Sequence, residues 1–203
     1  ALISQSSPTS LSSLHLTVRR SDAPPSPLFY MTIEAQRKKL IIRRVILALI
    51  ILTLSVMQNT DGFFPQIFGV RALLLIPAVV CTAMFERDIV GMLFGLFAGM
   101  LWDITASGNN FNALYLLAVG FICGTLINTV MRNNVVTASL LSVGFIIIYS
   151  LGYWLFHYVF ASIDGAAHVL VRYYLPGILY TAILVPIIFI IVRAVEKKYS
   201  IEQ

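Results

Sequence analysis

Hydrophobic positions in this chain come in long unbroken runs, set between short polar breaks. Residues 1–30 are polar and rich in Ser and Pro, with Pro8, Pro24, Pro25 and Pro27, whereas from Leu40 onward apolar residues dominate. A membrane-spanning helix needs about 20 largely apolar residues. Runs at 40–57, 67–85, 89–104, 112–131, 135–160 and 169–195 therefore predict an all-α membrane protein, a bundle of about six transmembrane helices. Only Glu86, Arg87 and Asp88 separate the second run from the third, so these two form a tight helical hairpin.

The domain plan follows from the same pattern. Residues 1–38 are expected to be a disordered tail, since such a segment cannot bury enough apolar surface to fold alone. Residues 39–198 form the six-helix domain and 199–203 a short tail. The first thirty residues lack the basic start and apolar centre of a secretory signal. Met31, followed by Thr32, Ile33, Glu34 and a basic run, is the expected natural start, with residues 1–30 as translated upstream sequence.

Composition reinforces the membrane reading. The chain is 59% hydrophobic and 11% charged, against about 25% charged in soluble domains. Its net charge of +5 does not point to nucleic acid, because the basic residues cluster at the ends of apolar runs. Arg37, Lys38, Lys39, Arg43, Arg44, Arg87, Arg132, Arg193, Lys197 and Lys198 fall on one face of a six-span topology, and the other face holds only Arg71 and Arg172. Basic residues favour the cytoplasmic side, so both termini are expected in the cytoplasm. Aromatic residues, among them Phe63, Phe64, Phe68, Trp102, Tyr153, Trp154, Tyr173 and Tyr174, gather toward the outer interface, as anchors or as a docking face. Cys81 and Cys123 lie within apolar runs and read as small buried residues, with no disulfide framework or metal cluster.

The third run carries the most specific pattern. Gly91, Gly95 and Gly99 recur every four residues and Asp103 continues the series. Residues four apart share a helix face, so the glycines form a groove for a closely approaching helix, either within the chain or from a partner. Gly120 and Gly124 on the fourth run share the spacing and are the facing surface expected. Asp103 lies roughly 22 Å along the helix from Asp88 at about 1.5 Å per residue, near the outer boundary. An acid there needs a partner or a polar cavity. Arg71 and Arg172 are candidate partners, and a turn-capping or ligand-binding role is open. Ser107, Gly108, Asn109 and Asn110 make a turn. Asn112 stands where it can cap the fourth helix, as Asp88 can the third. Pro77, Pro176 and Pro186 lie inside apolar runs and are expected to kink their helices. His157, Asp164 and His168 match no metal-ligand spacing and read as an interfacial polar group. No catalytic constellation, cofactor site or metal site is expected.

The stretch from Gly91 through Gly95 and Gly99 to Asp103, followed by Asn112-Ala113-Leu114 and by Gly120 and Gly124, resembles the rod shape-determining MreD family. Its members have a glycine-rich third helix ending in an acid, then a turn and an Asn-Ala-Leu helix start. The resemblance covers about residues 36–198. One departure is Asn110, where the family often has Gly; Asn tolerates a left-handed backbone. The resemblance implies a non-catalytic subunit of the bacterial inner membrane that organises lateral peptidoglycan synthesis with MreC, the actin-like MreB, RodA and a class B transpeptidase. It also implies a fold similar to the substrate-binding subunits of energy-coupling-factor transporters. An alternative is therefore a substrate-binding subunit of a small-molecule, vitamin-type importer, which would need convergent polar groups; Asp103, Asn112, Thr125 and Asn128 are the few within the spans.

Overall fold

Every regular element among the described residues is helical. The computed structural model describes residues 27–60, 72–86, 88–105, 111–129, 133–156, 168 and 170–199. The chain divides into two units, Ala1–Lys39 and Leu40–Gln203. In the first, the described part is the beginning of helix α1 (Pro27–Asn59), with residues 34–39 exposed. Residues 27–38 are thus helical, not the disordered tail that composition suggested. Pro27 stands at the first helical position, where a fixed φ and a missing N–H suit the helix. The expectation for residues 1–26 lies outside the described residues.

The second unit holds the rest of α1, then α2 (Leu75–Phe85), α3 (Asp88–Thr105), α4 (Asn112–Thr129) and α5 (Val135–Trp154). A π-helical turn, Leu170–Tyr174, leads into α6 (Leu175–Lys198). Among the described residues, four helices are long and apolar enough to cross a membrane: α1 over Glu34–Asn59, and α3, α5 and α6. Their outward positions are apolar. Ile89, Leu93, Phe97, Met100 and Ile104 line the exposed face of α3, and Leu175, Leu179, Ile183, Ile187 and Ile190 that of α6. Stripes of this kind suit acyl chains, and the helices satisfy their own backbone groups. The protein is an all-α membrane protein, and its described residues form a bundle of six helices.

At its centre lies α2, apolar on every side, with Leu75 through Met84 all buried as an all-round apolar helix should be. It packs against α3, α4, α5 and α6. At 11 residues it rises only about 16 Å, half of a bilayer core of about 30 Å. The second apolar run is therefore not one full-length helix: residues 72–74 precede α2 as non-helical backbone, and the run's start lies outside the described residues. That backbone is held by side chains. Gln58 of α1 accepts the Leu75 N–H at 3.0 Å, and Thr181 of α6 accepts the Leu73 N–H at 3.1 Å. Irregular backbone at membrane depth persists when buried in protein and hydrogen-bonded in this way. Pro77 consequently falls in the first turn of α2, where it breaks no intrahelical bond. Pro176 stands at the second position of α6, directly after the π-helical turn, and Pro186 is interior to that helix. The π-helical turn before α6 supplies the local adjustment that Pro176 would otherwise force.

The opposite end of α2 is fastened by charge. Arg43 donates from Nε and Nη2 to Glu86 Oε1 at 3.1 and 2.6 Å. Arg44 donates from Nε and Nη2 to Glu86 Oε2 at 3.4 and 3.2 Å. Arg43 Nη1 reaches Glu196 Oε2 of α6 at 3.0 Å. Asn133, ahead of α5, donates from Nδ2 to the Met84 carbonyl at 3.2 Å. One end of the bundle thus gathers Arg43 and Arg44 from the middle of α1, the beginning of α5, the α2–α3 turn and the end of α6. Arg43 and Arg44, legible in sequence as markers of orientation, also tie three helices together. Glu86 is the hub, its side chain only 2% exposed. Removing one member of a buried ion cluster strands the other charges at a cost of about 3–5 kcal/mol. Glu86→Gln is expected to lower stability on that scale, read as a large fall in the thermal midpoint of the purified protein in detergent; an unchanged midpoint would contradict the lock.

Candidate functional site

The residues singled out by the sequence come together on the α3–α4 hairpin. The helices run antiparallel, pairing Asp88 with Gly124, Gly91 with Gly120, Gly95 with Leu116 and Gly99 with Ala113. Glycine is required at these crossings. A Cβ on Gly95 would run into the Leu116 carbonyl oxygen, one on Gly99 into the Ala113 Cα, and one on Gly120 into the Gly91 carbonyl oxygen. A Cβ on Gly124 would stand 2.8 Å from the Asp88 Cα. Gly91 also faces α2, where its Cβ would lie 2.9 Å from the Ala83 Cβ. Backbone meets backbone here, the geometry that small residues every four positions permit in membranes, and one in which Cα–H groups approach carbonyl oxygens. The groove read from sequence is therefore filled by α4 itself.

Asp103, in the last turn of α3, completes the series. Its Oδ1 accepts the Asn112 N–H at 3.2 Å and its Oδ2 the Ala113 N–H at 2.9 Å. At the end of its own helix a carboxylate opposes the macrodipole. Aimed at the start of α4, it meets free N–H groups and the positive end of that helix, so the pairing is favourable. Among the described residues no ion pair joins Asp103 to Arg172, which is exposed; Arg71 lies outside the described residues. The partner of the acid is backbone, and Asp103 does the capping of α4 that the sequence suggested for Asn112.

Asn112 does something else. Buried at the head of α4, it accepts through Oδ1 the Tyr149 hydroxyl proton at 2.8 Å. Tyr115, one turn on, donates its hydroxyl proton to the Phe145 carbonyl at 2.6 Å. Trp102 is buried and lies 5.2 Å, centroid to centroid, from Tyr149, which is also 5.2 Å from Tyr115. Trp102 therefore packs inside rather than anchoring at an interface. The result is a polar and aromatic knot joining α3, α4 and α5, with the hydroxyls of the half-buried Tyr115 and Tyr149 both satisfied, as aromatic side chains of this type require.

The remaining sequence candidates are dispersed. His157, Asp164, Phe63, Phe64 and Phe68 lie outside the described residues, and His168 is exposed. Thr125 donates to the Phe121 carbonyl of its own helix at 3.0 Å. Cys81 and Cys123 are buried free thiols. Sequence reasoning missed Glu86, Glu196, Gln58 and Thr181. The signal for Gln58, Glu86 and Glu196 was a polar side chain at the margin of an apolar run, and that for Thr181 a lone hydroxyl inside one.

Two substitution series test the hairpin. Gly95→Ala forces the helices apart and is expected to cost at least about 2 kcal/mol, within the usual range for overpacking. Gly144→Ala on α5, where a Cβ meets nothing within 4 Å, should be neutral or gain up to about 1 kcal/mol from helix propensity. Equal thermal midpoints for the two variants would refute close packing at Gly95. Asp103→Ala should lose about 1–2 kcal/mol of capping energy, and Asp103→Asn, which keeps one acceptor oxygen, less than that. The checks are thermal unfolding in detergent and amide exchange at Asn112 and Ala113.

No family model, no curated protein and no solved structure matches this chain.

Proposed function

We propose that this protein is a non-catalytic integral subunit of the bacterial cell-elongation machinery, organising lateral peptidoglycan synthesis and rod shape as its MreD-like sequence suggests. The observation that carries the reading is the hairpin. The residues on which the resemblance rests, Gly91, Gly95, Gly99, Asp103 and Asn112, are all spent on joining α3, α4 and α5. A motif whose work is shape suits a scaffold whose task is to present surfaces to other subunits. In this reading the protein lies in the inner membrane with both termini cytoplasmic, as the one-sided distribution of basic residues supports. Its partners are MreC, MreB, RodA and a class B transpeptidase.

A second reading has its own observation. The α2 helix begins inside the bundle beside Gln58 and Thr181, and broken helices at membrane depth often mark binding sites in transporters. This favours the substrate-binding subunit of a small-molecule importer.

Purification from native membranes in mild detergent, with mass spectrometry of co-purifying proteins and small molecules, separates the two. Recovery of MreC and wall-synthase components is the expected result. Recovery of a transport ATPase pair or a bound metabolite would replace the scaffold reading with the importer.

A further inference from the structure

The charged end of the bundle carries more positive charge than its ion pairs consume. Glu86 and Glu196 are matched by Arg43 and Arg44. Arg193, Lys197 and Lys198 of α6 are exposed and make no ion pair with an acid among the described residues. Counting Asp88 of the same turn still leaves an excess of cations there.

Two cations of this end, the ion-paired Arg44 and the exposed Arg193, are held in place. Arg44 has a side chain 43% exposed although the carboxylate it grips is almost fully buried. It sits inside the apolar belt, flanked by exposed Ile41, Ile42 and Val45. Helical side chains lean toward the N-terminus of their helix, so Arg44 leans toward the membrane surface from which α1 enters, as a snorkelling arginine does. Arg193 belongs to the end of α6, where the same lean carries a side chain inward. Its guanidinium carbon lies 6.0 Å from the centre of the Phe189 ring, one turn deeper, a cation–π distance. Phe189 in turn packs on Phe85 at 5.7 Å, and Phe85 precedes Glu86, the carboxylate that holds Arg44. The two guanidinium groups are therefore linked by one run of contacts, Arg44 to Glu86 and Arg193 to Phe189 and Phe85, in which Glu86 and Phe189 are buried; the exposed arginines and the half-buried Phe85 form a ledge above them. Exposed Val45 and Ile190 continue from it into the apolar belt.

We propose that this ledge seats the headgroup of an anionic phospholipid, with Arg44 and Arg193 as the fixed cations and Lys197 at the rim. The chemistry is that of the site: the donor fork of Arg193 and the Nη1 edge of Arg44, whose Nε and Nη2 are held by Glu86, for a phosphate, a neutralised acid pair beneath, and apolar helix faces for the acyl chains. A basic pocket between helices at the membrane surface is suited to such a lipid. The inference stands apart from the proposed function and requires only that the chain spans a membrane.

The test uses the full chain, reconstituted in vesicles of equal parts phosphatidylglycerol and phosphatidylcholine. The protein is then extracted in mild detergent, and retained lipid is counted by native mass spectrometry. The wild-type protein should keep phosphatidylglycerol in clear preference. At about 1 kcal/mol for each basic residue near the surface, Arg193→Gln should reduce that preference about fivefold, and Arg193→Gln with Lys197→Gln further. Both positions are exposed and outside the ion lock. In the wild type itself the preference should fall with added salt before extraction. Equal retention of the two lipids, a preference indifferent to salt, or a preference undiminished in the double variant would each overturn the proposal. So would an acidic protein found bound at these residues without any lipid preference.

Discussion

Within a bilayer no water is at hand to satisfy a backbone polar group, and an unpaired one costs several kcal/mol. That constraint bears hardest on α2, which starts inside the bundle from non-helical backbone. Its position governs the rest. Gln58 and Thr181 must reach the Leu75 and Leu73 N–H groups, which fixes how α1 and α6 stand beside it. Asn133 and Glu86 close the other end, through the Met84 carbonyl and the paired arginines. Three neighbouring segments are thus registered against one short helix by polar contacts at its two ends, while the apolar surface between them supplies packing without direction.

The α3–α4 hairpin solves a different problem. Hydrophobic exclusion does not draw helices together in lipid, so close packing has to do that work. Glycine at Gly91, Gly95, Gly99 and Gly120 removes everything that would hold the two backbones apart. The Asp103 cap then fixes their longitudinal register, because a shift by one turn would carry the carboxylate about 5.4 Å from its N–H partners. Tyr149 and Tyr115 attach the pair to α5.

Much of this was legible in the sequence, and the failures have physical causes. Spacing by four made the glycine face visible, and it was seen to want a facing helix. The helix count and the burial of both cysteines also followed from the pattern. The partner of Asp103 did not: charge complementarity pointed to Arg172, and to Arg71, which lies outside the described residues, whereas the start of α4 offers backbone N–H groups that leave no trace in residue identity. The start of α2 was hidden because an apolar run does not say where its helix begins. Pro77 was the available signal, since a proline is most at ease in a first turn, and read that way it places the start close to Leu75. The ion lock went unseen because Arg43 and Arg44 already had an explanation as orientation markers, and one role does not exclude another.

The sealed face of the hairpin bears on how the protein is made. The α4 helix is among the shorter apolar helices of the chain and opens with a buried amide, Asn112. Threaded into lipid alone, it would expose both that amide and a row of bare peptide groups along Gly120 and Gly124. Folded against α3, it hides them, and Asp103 covers its leading N–H groups. The two helices are therefore suited to leave the translocation channel as a single inserted unit.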